Sequence, residues 1–225
     1  MTRIHVVESV LKANDAVAAV NRRLLDSSGV LAVNIMSAPG SGKTTLLEKT
    51  IPRLAPEKAA VLVGDLQTTR DAERIASVAA DTTQINTGTG CHLTATQVAE
   101  GLGRVSLANV AYVLIENVGN MVCPAGFDLG EHLRVALLSV AEGDDKVAKY
   151  PTLFQQADVV LLTKIDLLGV LDFDVQRVTE DLSRLQTRAP MLRISAKTGE
   201  GMDAWVDWLR QQRAQQRDRA AAPSA

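Results

Sequence analysis

Residues Ser37–Thr44 read S-A-P-G-S-G-K-T, between the apolar run V-L-A-V-N-I-M at Val30–Met36 and a helix-like segment that begins at Lys43. Glycines at 40 and 42 let the backbone curl so that its N–H groups face phosphate oxygens, and the following helix adds the positive end of its dipole. The pattern is G-x-x-x-x-G-K-[ST], with Ser37 where the first glycine is usual. Lys43 would reach the β- and γ-phosphates of a nucleotide, and the Thr44 hydroxyl would join a magnesium shell. Pro39, Gly40, Ser41, Gly42, Lys43, Thr44 and Thr45 are therefore expected to surround the phosphates. A glycine-rich turn that binds nothing is the alternative, and the strand–loop–helix context argues against it.

Outward from this loop, short runs rich in Val, Ile and Leu alternate with segments of mixed polarity. That pattern belongs to an α/β fold of the P-loop NTPase type, with a mostly parallel central sheet flanked by helices. Strands are expected at Val30–Met36, Ala60–Gly64, Gln84–Asn86, Tyr112–Glu116, Val135–Val140, Asp158–Thr163 and Met191–Ile194. Helices are expected at Val7–Asp26, Lys43–Leu54, Asp71–Ala80, Leu93–Gly101, Thr152–Gln156, Val175–Leu185 and Met202–Gln215. In the first helix Val10, Val17 and Leu24 recur at heptad spacing with Val20 between them, a stripe expected to pack on the chain's own domain. Residues 1–29 thus read as a helix packed on a nucleotide-binding domain at 30–215, and 216–225 as a disordered tail.

Composition narrows the function classes. The 225 residues are 46% hydrophobic with a net charge of -2, which gives no electrostatic reason for nucleic-acid or membrane-surface binding. Aromatic residues make up only 3%, which weakens base-stacking modes. No apolar run approaches a membrane span, and the start M-T-R-I-H-V-V-E-S lacks a secretory apolar stretch, so the cytoplasm is the expected location. The two cysteines are then expected as free thiols or metal ligands.

Which base is bound follows from two further segments. D-V-V-L-L-T-K-I-D at Asp158–Asp166 ends an apolar run in T-K-I-D, close to the N-K-x-D guanine motif. An aspartate there accepts two hydrogen bonds that guanine offers and adenine does not, a discrimination of about 10⁴-fold. S-A-K-T-G at Ser195–Gly199 follows the last strand and matches a loop that packs on guanine O6, through Ser195, Ala196 and Lys197. With Lys164 and Asp166, these residues favour GTP and GDP over ATP, and Thr163 replaces the usual Asn. For magnesium and hydrolysis, carboxylates are needed at strand ends. Asp65 closes V-L-V-G-D, Asp71 ends L-Q-T-T-R-D, and Glu116 closes Y-V-L-I-E three residues before Gly119. Asp65, Asp71 and Glu116 are expected with Thr44 as magnesium ligands or water-positioning groups, and with Lys43 as the catalytic set; helix capping is the alternative role for Asp71.

Cys91 and His92 adjoin in G-T-G-C-H-L-T-A, and Cys123 follows V-G-N-M-V. Both loops leave a parallel sheet on the edge that carries the phosphate loop, so Cys91, His92 and Cys123 can converge there. Thiolate and imidazole suit Zn(II) and, in the right geometry, Ni(II). Three ligands are one short of a closed tetrahedral site, which a second copy could complete. Small buried cysteines and a satisfied polar histidine are the alternative.

The combination of Q-I-N-T-G-T-G-C-H-L, I-E-N-V-G-N-M-V-C-P-A-G-F-D-L-G-E and L-S-V-A-E-G-D-D-K-V-A-K-Y-P resembles the hydrogenase-maturation nickel-insertion GTPases, the HypB family. The resemblance runs from about residue 30 to 210. It implies a P-loop GTPase that hydrolyses GTP to GDP and phosphate, and turnover is expected to be slow because no catalytic arginine finger can be assigned from the sequence. It also implies a GTP-dependent homodimer with a nickel or zinc site on the positions of Cys91, His92 and Cys123. Partners implied are a small zinc-containing nickel chaperone of the HypA family and, indirectly, the hydrogenase large subunit. A histidine-rich nickel store, common in that family, has no counterpart before Val30, where His5 is the single histidine.

Overall fold

A computed structural model describes residues 6–65, 70–88 and 90–221. Seven strands form one sheet: β1 (Leu31–Met36), β2 (Ala59–Asp65), β3 (Asp81–Asn86), β4 (Tyr112–Glu116), β5 (Leu133–Ser139), β6 (Val159–Thr163) and β7 (Met191–Arg193). Their order is β3-β2-β4-β1-β5-β6-β7 and every pairing is parallel. Among the described residues eight α-helices cover it: α1 (Val6–Ser27), α2 (Lys43–Thr50), α3 (Arg70–Ala76), α4 (Ala95–Leu102), α5 (Lys146–Lys149), α6 (Pro151–Gln155), α7 (Val175–Arg184) and α8 (Met202–Ala221). The central strands β1, β4 and β6 are buried along their whole length, as a sheet covered on both faces requires, which is why they read as unbroken apolar runs.

One face of the sheet packs on α2 and α8 through Leu46, Leu47, Trp205 and Leu209. The Trp205 indole N–H donates to Thr50 Oγ1 at 3.0 Å, pinning the last turn of the phosphate-loop helix to α8. On the other face, Phe154, Val178 and Leu182 pack against β5 and β6. Leu25, Val98 and Leu102 pack over β2 and β4. All strand C-termini therefore point to one edge, where the loops after β1, β4 and β6 meet.

Several expected elements differ. β3 begins at Asp81 instead of Gln84, because D-T-T-Q is polar and only half-buried at the sheet edge, so no apolar run marks it. The expected helix at Lys43–Leu54 is α2 followed by a 3₁₀ turn at Ile51–Leu54, with Pro52 removing an N–H at the junction. The helix after the Cys-His pair starts at Ala95, not Leu93. Thr94 caps it and Gln97 completes a capping box, which leaves Cys91 and His92 in the loop. The tail expected to be disordered from 216 is helical as far as Ala221. Gln216 Nε2 reaches the Val30 carbonyl, and the Arg213 guanidinium bonds Glu57 and lies over the Tyr112 ring, so tertiary contacts hold the turn that the sequence pattern leaves blank. Residues 222–225 lie outside the described part.

The face that α1 buries also differs from the expected one. Val10, Val20 and Leu24 are exposed, while Asn14, Ala18, Asn21 and Leu25 face the domain. Asn21 Nδ2 donates to the carbonyls of Ala95 (2.8 Å) and Leu129 (2.9 Å), and Asn14 bonds both Asp128 O and Ala95 N. Two buried asparagines fix this helix by hydrogen bonds to backbone, so hydrophobic spacing alone points to the wrong stripe.

Candidate functional site

The phosphate loop leaves β1 and turns at Gly40 and Gly42, whose φ values of 76° and 100° are left-handed and cost a side chain dearly. Ser37 has no such φ, so the glycine usual in its place is not required here. Its hydroxyl instead accepts from the Lys43 ammonium at 3.0 Å and bonds Ser41. Lys43 is buried, and burial lowers its pKa although Glu116, Glu142, Asp71 and Asp65 act to raise it. A cavity of about 480 Å³ opens in front of the loop, and Pro39, Thr44, Thr45, Asp65, Asp71 and Glu116 are among its walls. The structure thus brings the sequence-predicted carboxylates to one place.

Glu116 is the most deeply buried of them. Its Oε1 accepts from Thr44 Oγ1 at 2.8 Å, and its Oε2 is buried with no partner. Burial pushes its pKa up to about 7, against the opposing pull of Thr44 and Lys43. An orphaned carboxylate oxygen beside a threonine hydroxyl, with Asp65 and Asp71 on the same cavity, is a donor set of hard oxygens that fits Mg²⁺. Asp71 stands in the first turn of α3 and pairs with Arg74 at 3.4 Å. Arg74, which the sequence motifs do not single out, lines the cavity and is held by Glu48 at 2.6 Å and Thr45 Oγ1 at 3.1 Å. Residues 66–69, which carry most of the L-Q-T-T-R-D segment, lie outside the described part.

A second cavity, of about 300 Å³, adjoins the first and is lined by Thr163, Lys164, Asp166, Leu167, Ala196 and Lys197 among others. Asp166 Oδ1 accepts from Ser195 Oγ at 2.6 Å, and Lys197 lies 3.8 Å from Oδ2, so the carboxylate is fixed by the S-A-K loop. Lys164 adopts a left-handed φ of 58° and donates to the Gly40 carbonyl at 2.6 Å, roofing the phosphate loop. The Thr163 hydroxyl donates to the Ser41 carbonyl at 2.9 Å. This threonine ties its strand end to the phosphate loop, which the shorter side chain achieves without the amide of asparagine.

On the same edge, the ligand atoms of Cys91, His92 and Cys123 lie within 4.8 Å of one another. Cys91 Sγ is 3.4 Å from His92 Nδ1, and both cysteines are free thiols. A hydrogen bond to Cys123, and secondarily burial, raises the Cys91 pKa, while burial lowers that of His92. The imidazole is therefore neutral, the form that ligates metal. Its ring lies against Phe127 with centroids 3.9 Å apart, and its Nε2 is buried without a partner. Asn120 Oδ1 accepts from the N–H groups of Val122 and Cys123 and shapes the turn that presents the second thiol. Phe127 and Asn120 fall inside the block I-E-N-V-G-N-M-V-C-P-A-G-F-D-L-G-E, but only the fold shows what they contact.

A phosphate loop continuous with a second cavity at the end of β6, and a thiol–imidazole cluster on the same edge, define a P-loop nucleotide-binding protein equipped to hold a soft or borderline metal ion. The model of the CobW/HypB/UreG nucleotide-binding domain matches residues 31–193. The hydrogenase maturation factor HypB of Azotobacter vinelandii is 46% identical over 211 residues, covering 93% of this chain and 70% of the relative. Among solved structures, HypB from Helicobacter pylori in complex with nickel superposes with a TM-score of 0.87 at 37% identity, covering 95% of this chain and 99% of that one. HypB from Archaeoglobus fulgidus gives 0.84 at 40% identity, covering 90% and 100%. This chain belongs to the CobW/HypB/UreG family, and within it to the HypB hydrogenase maturation factors.

Proposed function

We propose that this protein is a slow GTPase that carries nickel for insertion into a hydrogenase and couples the metal's binding and release to its nucleotide state. The observation that carries the reading is the Cys91–His92–Cys123 cluster, reached from the nucleotide cavity along the short segment from Glu116 to Cys123. A nickel-complexed relative of the same fold supports the choice of metal. Zinc suits the same donors, and the two compete for them.

Lys43 holds the β- and γ-phosphates and Asp166 selects guanine, with Ser195, Ala196 and Lys197 closing the base pocket. Thr44, Asp65, Asp71 and Glu116 are the oxygens that would hold Mg²⁺, whose charge offsets that developing on the phosphates during hydrolysis. Glu116, Asp65 and Asp71 also orient the attacking water, and GTP and water give GDP and phosphate. Turnover is slow because the cavity's arginine, Arg74, is engaged by Glu48 and Asp71, which keeps it from serving as a finger on the γ-phosphate.

Three metal ligands per chain are one short of a tetrahedral set, so the second copy in a GTP-bound homodimer supplies the remainder. A small zinc-containing chaperone of the HypA type exchanges nickel with this protein, and the hydrogenase large subunit receives it indirectly. The work takes place in the cytoplasm without nucleic acid or membrane; among the described residues no helix is long and apolar enough to cross a bilayer.

The test is nickel loading of a purified hydrogenase large subunit by wild type, Lys43→Ala and Cys91→Ala. Loss of loading in both variants is expected. Undiminished loading by Lys43→Ala would reduce the protein to a metal carrier whose nucleotide cycle is dispensable.

A further inference from the structure

Beside the cluster lies a buried polar chain to which the sequence motifs assign no role. Asn117, 1% exposed, follows Glu116 directly and is the first residue beyond β4. Its Oδ1 accepts two backbone N–H groups, that of Leu93 at 3.1 Å and that of Val118 at 2.9 Å. Its Nδ2 donates to Asn34 Oδ1 at 3.1 Å, and Asn34 in turn donates to Glu131, which Arg134 and the Leu129 N–H hold from the far side. The orientation of the carboxamide is thus fixed from behind by a fully buried network, and one oxygen grips two loops in front.

Those two loops belong to different sites. Val118 leads to Gly119, whose missing side chain lets the backbone press on the phosphate loop; a Cβ there would lie 2.9 Å from Pro39 Cα. Leu93 follows His92 directly, so its N–H reports the position of the peptide that carries the imidazole. We infer that Asn117 is the positioning residue that joins the nucleotide cavity to the metal cluster, delivering a displacement of Val118–Gly119 to Leu93 and from there to His92 and Cys91. The inference rests on the nucleotide-controlled metal binding proposed above and names the contact that transmits it.

The geometry explains why an asparagine serves. An oxygen that accepts two main-chain N–H groups at once cannot follow one loop without weakening its bond to the other, and in a buried site a weakened bond is costly. The two loops are therefore expected to shift as a pair. A competing route exists through the Leu93 side chain, which fills the space over Gly64, next to Asp65; a Cβ on Gly64 would lie 2.8 Å from Leu93 Cγ. The experiment must separate the two.

Ni²⁺ affinity is measured for wild type and Asn117→Ala, each with GDP and with a non-hydrolysable GTP analogue. Wild type is expected to show a ratio between the two states in the range of about 5–150-fold, as coupled sites commonly do. The variant is expected to bring that ratio to within about twofold of one. A variant that keeps the wild-type ratio overturns the inference and sends the coupling through Leu93 and Gly64, leaving the proposed function standing. A wild-type ratio of one defeats the proposed function itself, and the inference with it. Hydrogen exchange in the wild type decides the matter should Asn117→Ala fail to fold. Protection at the Val118 and Leu93 amides is expected to change together on exchanging GDP for the analogue. A change at Val118 with none at Leu93 overturns the inference.

Discussion

The two halves of the functional edge are built to different standards. Around the phosphate loop nearly every side chain is already committed: Lys43 to Ser37, Thr44 to Glu116, Thr163 to Ser41, Lys164 to Gly40 and Asp166 to Ser195. Around the cluster the ligands bond chiefly to one another, Cys91 is exposed, and His92 Nε2 has no partner. The nucleotide half is preorganised within one chain, which favours tight binding of one ligand class. The metal half is unfinished, and that suits an ion that must be released as well as held.

The sharpest way to break this contrast is at the base. Asp166→Ala should lower the preference for GTP over ATP by up to about 10⁴-fold, read by competition binding. Equal preference before and after the substitution would remove guanine selection from the preorganised half. Lys43→Ala should weaken GTP binding by about 10- to 100-fold, the effect of losing a hydrogen bond to a charged group, while nickel affinity without nucleotide stays unchanged. A parallel drop in nickel affinity would show that the two halves are one unit even in the empty protein.

On the metal side, Phe127→Ala should reduce nickel affinity by about tenfold, since the ring that orients His92 acts as an outer support of a ligand. The pH dependence sharpens the point. Burial lowers the His92 pKa from its ordinary value, which favours the neutral imidazole, so this ring adds little slope near and above neutrality. The Cys91 pKa is raised, so metal binding must displace a proton, and affinity should climb as pH rises toward the thiol range. Calorimetry in buffers of different ionisation enthalpy counts the protons released; none released would contradict the thiol assignment.

A further effect concerns stability. The folded pKa of Glu116, about 7, stands above the ordinary glutamate value of 4.5. Its contribution is therefore complete at low pH and is lost as pH rises through about 7. Without nucleotide or metal, Glu116→Gln should flatten that loss and raise the Tm at pH 8, by the equivalent of about 3 kcal/mol at most. An unchanged pH profile would mean that the orphaned oxygen is better solvated than its burial suggests.

What the sequence made legible follows the same divide. The phosphate loop, T-K-I-D and S-A-K are contiguous segments whose residues act within a few positions of one another, so their chemistry can be read off the chain. Asn117 and Phe127 fall inside the block that carries the resemblance, but they and Arg74 act through partners distant in sequence, so their roles show only in the fold. α1 shows the same limit in a helix. Val10, Val20 and Leu24 supply an apolar stripe that the fold leaves exposed, while buried Asn14 and Asn21 make the attachment through backbone carbonyls. The polar start of β3 is legible only from its pairing with β2.

The most direct measurement is the affinity of wild type for the non-hydrolysable GTP analogue and for GDP, each with and without saturating Ni²⁺. Linkage requires that a metal bound more tightly in one nucleotide state strengthen that nucleotide by the same factor. The account predicts that nickel shifts the two nucleotide affinities unequally, by about 5–150-fold in their ratio. A ratio that nickel leaves unchanged would contradict it, and the cluster would then be a passive carrier placed beside an independent GTPase.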